Sequence, residues 1–125
     1  MRNLWLLLGA ISGFVGVSTG AFGAHALKAR LSPDLLAVFE TGSRYQLVHA
    51  LALCLIGVLT LRSGESPSSL LPVSGALFAA GTLLFSGSLY ILALSGQRLW
   101  GAVTPLGGLC FLAAWALLAL YAARG

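Results

Sequence analysis

The stretch LLPVSGALFAAGTLLFSGSLYILAL, from Leu70 to Leu94, runs without one charged residue, and its reading decides the fold. A hydrocarbon core about 30 Å thick is crossed by about 20 helical residues rising about 1.5 Å each, so this run spans a bilayer unaided. Three further apolar runs flank it, from Leu4 to about Leu27, from about Gln46 to Leu61, and from about Ala102 to Ala123. Barrel strands would be about half as long and would alternate in polarity, so hydrocarbon leaves only helices for runs of this kind. The sequence predicts an all-α integral membrane protein, a four-transmembrane-helix bundle forming a single domain over residues 1–125, with spans near 4–27, 46–61, 70–94 and 102–123.

Composition points the same way. With 58% hydrophobic and 8% charged residues, a soluble domain of this size would not stay in solution. Arg2, the apolar stretch behind it and Ala24-His25-Ala26 imitate a secretory signal. The stretch is longer than the apolar core of about 7–15 residues that such signals carry, so it reads as a retained first span.

The polar segment from Lys28 to Tyr45 is more than a loop. Ser32 offers a capping hydroxyl, Pro33 suits a first helical position, and Asp34 sits where the helix dipole favours negative charge. Leu35, Leu36, Val38 and Phe39 give an apolar side, and Glu40 and Arg44 are spaced to pair at i and i+4. The pattern predicts a short amphipathic helix over about 33–41 that lies in the interface, anchors the hairpin and turns at Gly42 into the second span. The remaining links are a turn from Ser63 to Pro67 and a short connection from Ser95 to Arg98.

Glycines 9, 13, 16, 20 and 23 recur at steps of four, three, four and three, which aligns them on one face of the first span. Small residues let membrane helices approach closely, so this face has a near neighbour. Internal packing is the first reading; a membrane-protein partner or a homo-oligomer through Gly9, Gly13, Gly16, Gly20 and Gly23 is the other. Gly75, Ala79, Gly81, Gly87, Gly107 and Gly108 suggest a second close approach with less regular spacing.

Polar chemistry gathers on one side of the membrane. His25, Lys28, Arg30, Asp34, Glu40, Arg44, Tyr45, Gln46, His49, Tyr90, Gln97, Arg98, Trp100 and Thr104 belong to the side of the Lys28–Tyr45 segment, whereas the other side has Arg2, Asn3, Arg62, Glu65 and Arg124. Intramembrane polar groups are costly and tend to mark sites. Gln46 and His49 share a helix face about one turn below the interface, and His25 lies at similar depth. Two imidazoles could ligate a metal or haem, relay a proton, or simply hydrogen-bond nearby groups. At about 100° per residue, however, His25 points away from the glycine stripe, so it meets His49's neighbours only if the helix unwinds near Gly20 to Gly23. No carboxylate in the apolar runs completes a ligand set, and no cofactor is expected.

Other chemistry fails sooner. Cys54 and Cys110 lie inside spans without CxxC spacing, and Ser86, Ser88 and Thr104 have no base at recognisable spacing, so the sequence predicts no enzyme. No phosphate-binding loop and no dense basic cluster is present, which excludes nucleotide and nucleic-acid binding. Membrane lipids are the expected partners, the net charge of +4 being scattered over interfacial Arg and Lys. Cations nearly balance across the membrane; the short Arg2 leader favours both termini in the cytoplasm.

The run GAFGAHAL from Gly20 to Leu27, the pattern Phe39-x-x-Gly42-x-x-Tyr45-Gln46-x-x-His49 followed by Ala-Leu-Ala-Leu, the segment FSGSLY from Phe85 to Tyr90, and Leu99-Trp100-x-x-x-Thr104-Pro105-x-Gly107-Gly108 closely resemble the YgdD-like small membrane protein family. That family is also catalogued as domain of unknown function 423, or UPF0382, and is related to a small eukaryotic transmembrane protein family. The resemblance implies a multi-pass inner-membrane protein with no established activity. All four motifs fall near the polar side, so it also implies a common neighbourhood for His25, Tyr45, Gln46, His49, Ser86, Tyr90, Thr104 and Pro105, a candidate polar pocket. Three functions follow as expectations: a non-enzymatic module binding lipid or a partner protein; a small solute, ion or proton carrier or channel; and a haem, metal or quinone binder.

Overall fold

The structure, a computed structural model, describes residues 3–63 and 69–124. Helix α1 (Leu4–Phe22) starts at Asn3, whose side-chain oxygen accepts the Leu6 N–H at 3.2 Å, and it runs into a π-helical turn, Gly23–Leu27. Helix α2 (Pro33–Arg62) opens as the sequence predicts. Ser32 Oγ accepts the Leu35 N–H at 3.3 Å, Pro33 fills the first helical position and Asp34 sits in the first turn. Helix α3 (Leu70–Gly81) passes through a second π-helical turn, Thr82–Ser86, straight into α4 (Gly87–Ser95), which stops at Gly96 in the left-handed conformation with φ 72°. A 3₁₀ turn, Arg98–Ala102, leads into α5 (Thr104–Arg124). No strand occurs among the described residues. Four helical spans, Leu4–Leu27, Pro33–Arg62, Leu70–Ser95 and Arg98–Arg124, are long and apolar enough to cross a membrane, giving the all-α bundle expected from the apolar runs.

The segment before the second span differs from expectation. Residues 33–41 are helical, but α2 continues through Gly42 without a break for 30 residues. Residues 33–41 therefore share one straight axis with the second span, a helix about 45 Å long, and do not form a separate helix joined to it by a turn. The physical reason lies in packing. Phe39 is buried, and with Leu36 and Val38 it packs on Leu27, Leu31, Ala93 and Tyr90, which takes the apolar side that an interfacial helix would give to lipid. Gly42 is buried where a Cβ would meet Tyr90 at 3.0 Å and Leu89 at 3.3 Å, so it serves close approach and makes no turn. No ion pair between Glu40 and Arg44 forms among the described residues. The expected turn from Ser63 to Pro67 lies, beyond Ser63, outside the described residues, as does Arg2.

The second and third spans form the centre of the bundle. Their most apolar windows are 39% and 44% buried, against 11% for the first span and 17% for the fourth, so α1 and α5 flank the pair and give most of their surface to lipid. One core cluster joins Ala52, Leu53, Ile56, Leu71, Phe78, Phe111 and Ala114; Leu27, Phe39 and Ala93 form a second.

The glycine stripe of the first span is a seam inside the molecule. A Cβ at Gly9 would lie 2.6 Å from Cys54 Sγ and 2.8 Å from the Ala50 carbonyl oxygen; at Gly16 it would meet Leu47, at Gly20 Ser43, at Gly23 Phe39, and at Gly13 Ala50 at an ordinary 3.8 Å. All these neighbours are on α2. The expectation of a partner or a second copy docking on this face is therefore corrected, because α2 already covers it.

Candidate functional site

Three polar clusters tie the spans together. The first joins α1, α2 and α4. Gln46, buried on α2, donates through Nε2 to the Ser12 carbonyl at 3.1 Å, and its Oε1 accepts from the Tyr90 hydroxyl at 2.6 Å. The Tyr90 oxygen lies 3.0 Å from Thr19 Oγ1. The single Tyr90 proton goes to Gln46, so the one Thr19 proton is shared between the Tyr90 oxygen and the Gly16 carbonyl, each 3.0 Å away. Ser43 donates to the Gly16 carbonyl at 3.0 Å, and Ser86, the last residue of the second π-helical turn, donates to the Gly42 carbonyl at 2.7 Å.

The second cluster surrounds His49. Its Nδ1 lies 2.7 Å from the Tyr45 carbonyl oxygen, which can only accept, so Nδ1 carries the proton. Nε2 is then free to accept the Trp115 indole N–H at 3.1 Å. The imidazole lies flat on Phe111, with centroids 3.5 Å apart and planes 1° from parallel, and Phe78 closes in at 5.7 Å. Both ring nitrogens are thereby engaged and the ring is neutral. In the third cluster the Ser88 and Thr104 hydroxyls meet at 2.6 Å and join α4 to α5. Among the described residues no buried side-chain nitrogen or oxygen lacks a partner, as expected where water cannot compensate.

The structure brings Tyr45 and His49 together, and Gln46 with Tyr90, while Ser86 and Thr104 bind to separate partners nearby. His25 stands apart. The first π-helical turn buries Gly23 and Leu27 towards α2, and two residues beyond Gly23 the chain has rotated His25 to the exposed side. Ser12, Thr19, Ser43 and Trp115 carry these clusters without having been singled out from the sequence. Ser12 and Thr19 sit beside the glycine stripe at helical spacing, a signal that was present; Trp115 is brought to His49 only by tertiary packing. No group of three or more His, Cys, Asp or Glu near enough to hold a metal occurs among the described residues, and Cys54 and Cys110 are both free.

Two spaces open beside these clusters. A cavity of about 300 Å³ lies between α1, α2 and the third span, lined by Leu8, Ile11, Ser12, Val15, Gln46, Leu53, Ala79, Thr82 and Leu83. A wider groove of about 640 Å³ runs between α2, Phe85 and α5 along Tyr45, Val48, His49, Pro105, Gly108, Leu109, Phe111, Leu112 and Trp115. Val48, Leu109, Leu112 and Trp115 are all exposed, so this groove opens sideways where lipid chains lie.

Four helices long and apolar enough to cross a membrane, polar side chains bonded within and between those helices, and a groove open on its side define a small polytopic membrane protein. The profile of the family described as Protein of unknown function (DUF423) matches residues 19–108, and the chain belongs to that family. Among its relatives, a UPF0382 membrane protein of Staphylococcus haemolyticus is 45% identical over 116 residues, 93% of this chain and 92% of the relative. The UPF0382 inner membrane protein YgdD of Escherichia coli K12 is 46% identical over 119 residues, 95% of this chain and 88% of the relative. No solved structure matches the chain.

Proposed function

We propose that the protein is a non-enzymatic membrane module, one domain in the inner membrane with both termini in the cytoplasm, whose groove between α2 and α5 holds a membrane lipid. The observation that carries this reading is the groove itself: about 640 Å³, within the range of about 300–1,000 Å³ of ligand sites, lined mainly by apolar side chains and open to hydrocarbon. His49 and Trp115 satisfy each other, so their polar atoms ask nothing of an occupant. The same saturation argues against a carrier or a haem site built on Gln46 and His49, since these groups would have to give up existing bonds to take a solute, a proton or a metal.

Gly108 provides the test. It lines the groove, and a Cβ there would find nothing within 4 Å, so Gly108→Phe fills the space while leaving the core untouched. Native mass spectrometry of protein purified in mild detergent is expected to show lipid retained by the wild type and by Arg62→Gln, and lost from Gly108→Phe. Equal retention by a folded Gly108→Phe variant would remove the groove as the site.

A further inference from the structure

Resting on the reading of the groove as a lipid site, we infer that its occupant is an anionic phospholipid, with an acyl chain along Val48, Leu109 and Leu112 and its phosphate held at the mouth by Arg44 and the Tyr45 hydroxyl. Polarity along the groove is graded. Its deep end holds Trp115 and His49, which are bonded to each other, and its middle is aliphatic. At the opposite end Tyr45 is 41% exposed with its ring against Phe85 at 4.7 Å, and its hydroxyl has no hydrogen-bond partner among the described residues.

Arg44 precedes Tyr45 in the chain and lies one helical turn before Val48, hence on the same face of α2 as a residue that lines the groove. It is exposed and, among the described residues, makes no ion pair, although Glu40 is spaced to supply one. An unpaired guanidinium presents five donors in a fork that suits phosphate oxygens, and the phenol of the next residue, on the groove wall, offers a sixth. Free donors at one end and a lipid-open apolar channel below them match a molecule with an anionic head and a long tail. A transmembrane helix of a partner protein would fill the channel but leave the donors at its mouth unused.

The test offers the purified protein equimolar phosphatidylglycerol and phosphatidylcholine with identical chains and reads the bound ratio by native mass spectrometry. The wild type is expected to favour phosphatidylglycerol by about tenfold, the size of one charge-assisted hydrogen bond. Arg44→Gln should bring the ratio near unity while phosphatidylcholine binding persists, Tyr45→Phe should lower it less, and Arg62→Gln at the opposite membrane face should leave it unchanged. Equal binding of the two lipids by the wild type, or equal loss of preference in Arg44→Gln and Arg62→Gln, would overturn the headgroup assignment while leaving the groove intact. Binding of both lipids unaffected by Gly108→Phe would overturn the groove and this assignment together.

Discussion

Gly107 and Gly108 are neighbours in α5 with opposite duties. A Cβ on Gly107 would collide with the Phe85 backbone nitrogen and lie 2.7 Å from Phe85 Cα, whereas one on Gly108 would meet nothing within 4 Å. Gly107→Ala must therefore push α5 away from the second π-helical turn, at a cost of about 1–3 kcal/mol for overpacking. Gly108→Ala should be neutral or, by helix propensity, stabilising by up to about 1 kcal/mol. Thermal unfolding of both variants in one detergent checks the contrast, and equal melting temperatures would deny the close approach. His49 makes a second residue-scale case. His49→Ala leaves the Trp115 indole N–H without its acceptor and empties the space against Phe111, so a loss of about 1–3 kcal/mol from the unpaired donor alone is expected in the same assay. This pairing was not legible in the chain, because 66 residues separate its members and no local pattern links an indole to an imidazole.

At the scale of elements, the spans hold together through side chains that donate to the backbone of a neighbouring helix. Ser43 reaches Gly16, Gln46 reaches Ser12, Ser74 reaches Ala114 and Ser86 reaches Gly42, each between 2.7 and 3.1 Å. Apolar side chains gain little by leaving lipid for another helix, so such bonds and close glycine contacts carry the association. A double-mutant cycle of Gln46→Leu and Tyr90→Phe is expected to give a coupling of about 0.6 kcal/mol and not above about 1.7, the range of interhelical bonds in membranes; zero coupling would mean the 2.6 Å bond has no energetic role. The spans were legible because length and apolarity are read without knowing any contact, and the cap at Ser32 because it is local. The glycine face of α1 was legible from spacing, though its partner was not. Gly42 is ambiguous in the sequence because the residue that permits a turn also permits a tight contact, and only the packing of Tyr90 and Leu89 decides between them. The two π-helical turns have no signature of their own, yet one of them ends at Ser86, which bonds to α2, and the other coincides with the outward position of His25.

For the whole molecule, the bundle supplies little of its own to fix which way it faces. Its centre is the pair of spans Pro33–Arg62 and Leu70–Ser95, while the flanking spans are largely open to lipid on either side, so insertion is governed by charge at the ends of the helices. Read from the sequence, Arg2, Arg62 and Arg124 belong to one face, and Lys28, Arg30, Arg44 and Arg98 to the opposite face. A balance this close makes orientation sensitive to small additions in short loops, where Lys and Arg act most strongly. Ala29 and Gln97 are both exposed on the face of Arg44 and Arg98, so Ala29→Lys with Gln97→Lys adds two cations there without entering the core. Fused at its C-terminus to a fluorescent protein that matures only in the cytoplasm, the wild type is expected to fluoresce, and the double variant should lose most of that signal while remaining in the membrane fraction. Fluorescence unchanged by the two lysines would mean that loop cations do not set the orientation and that a feature nearer the first span, beginning with Arg2, does.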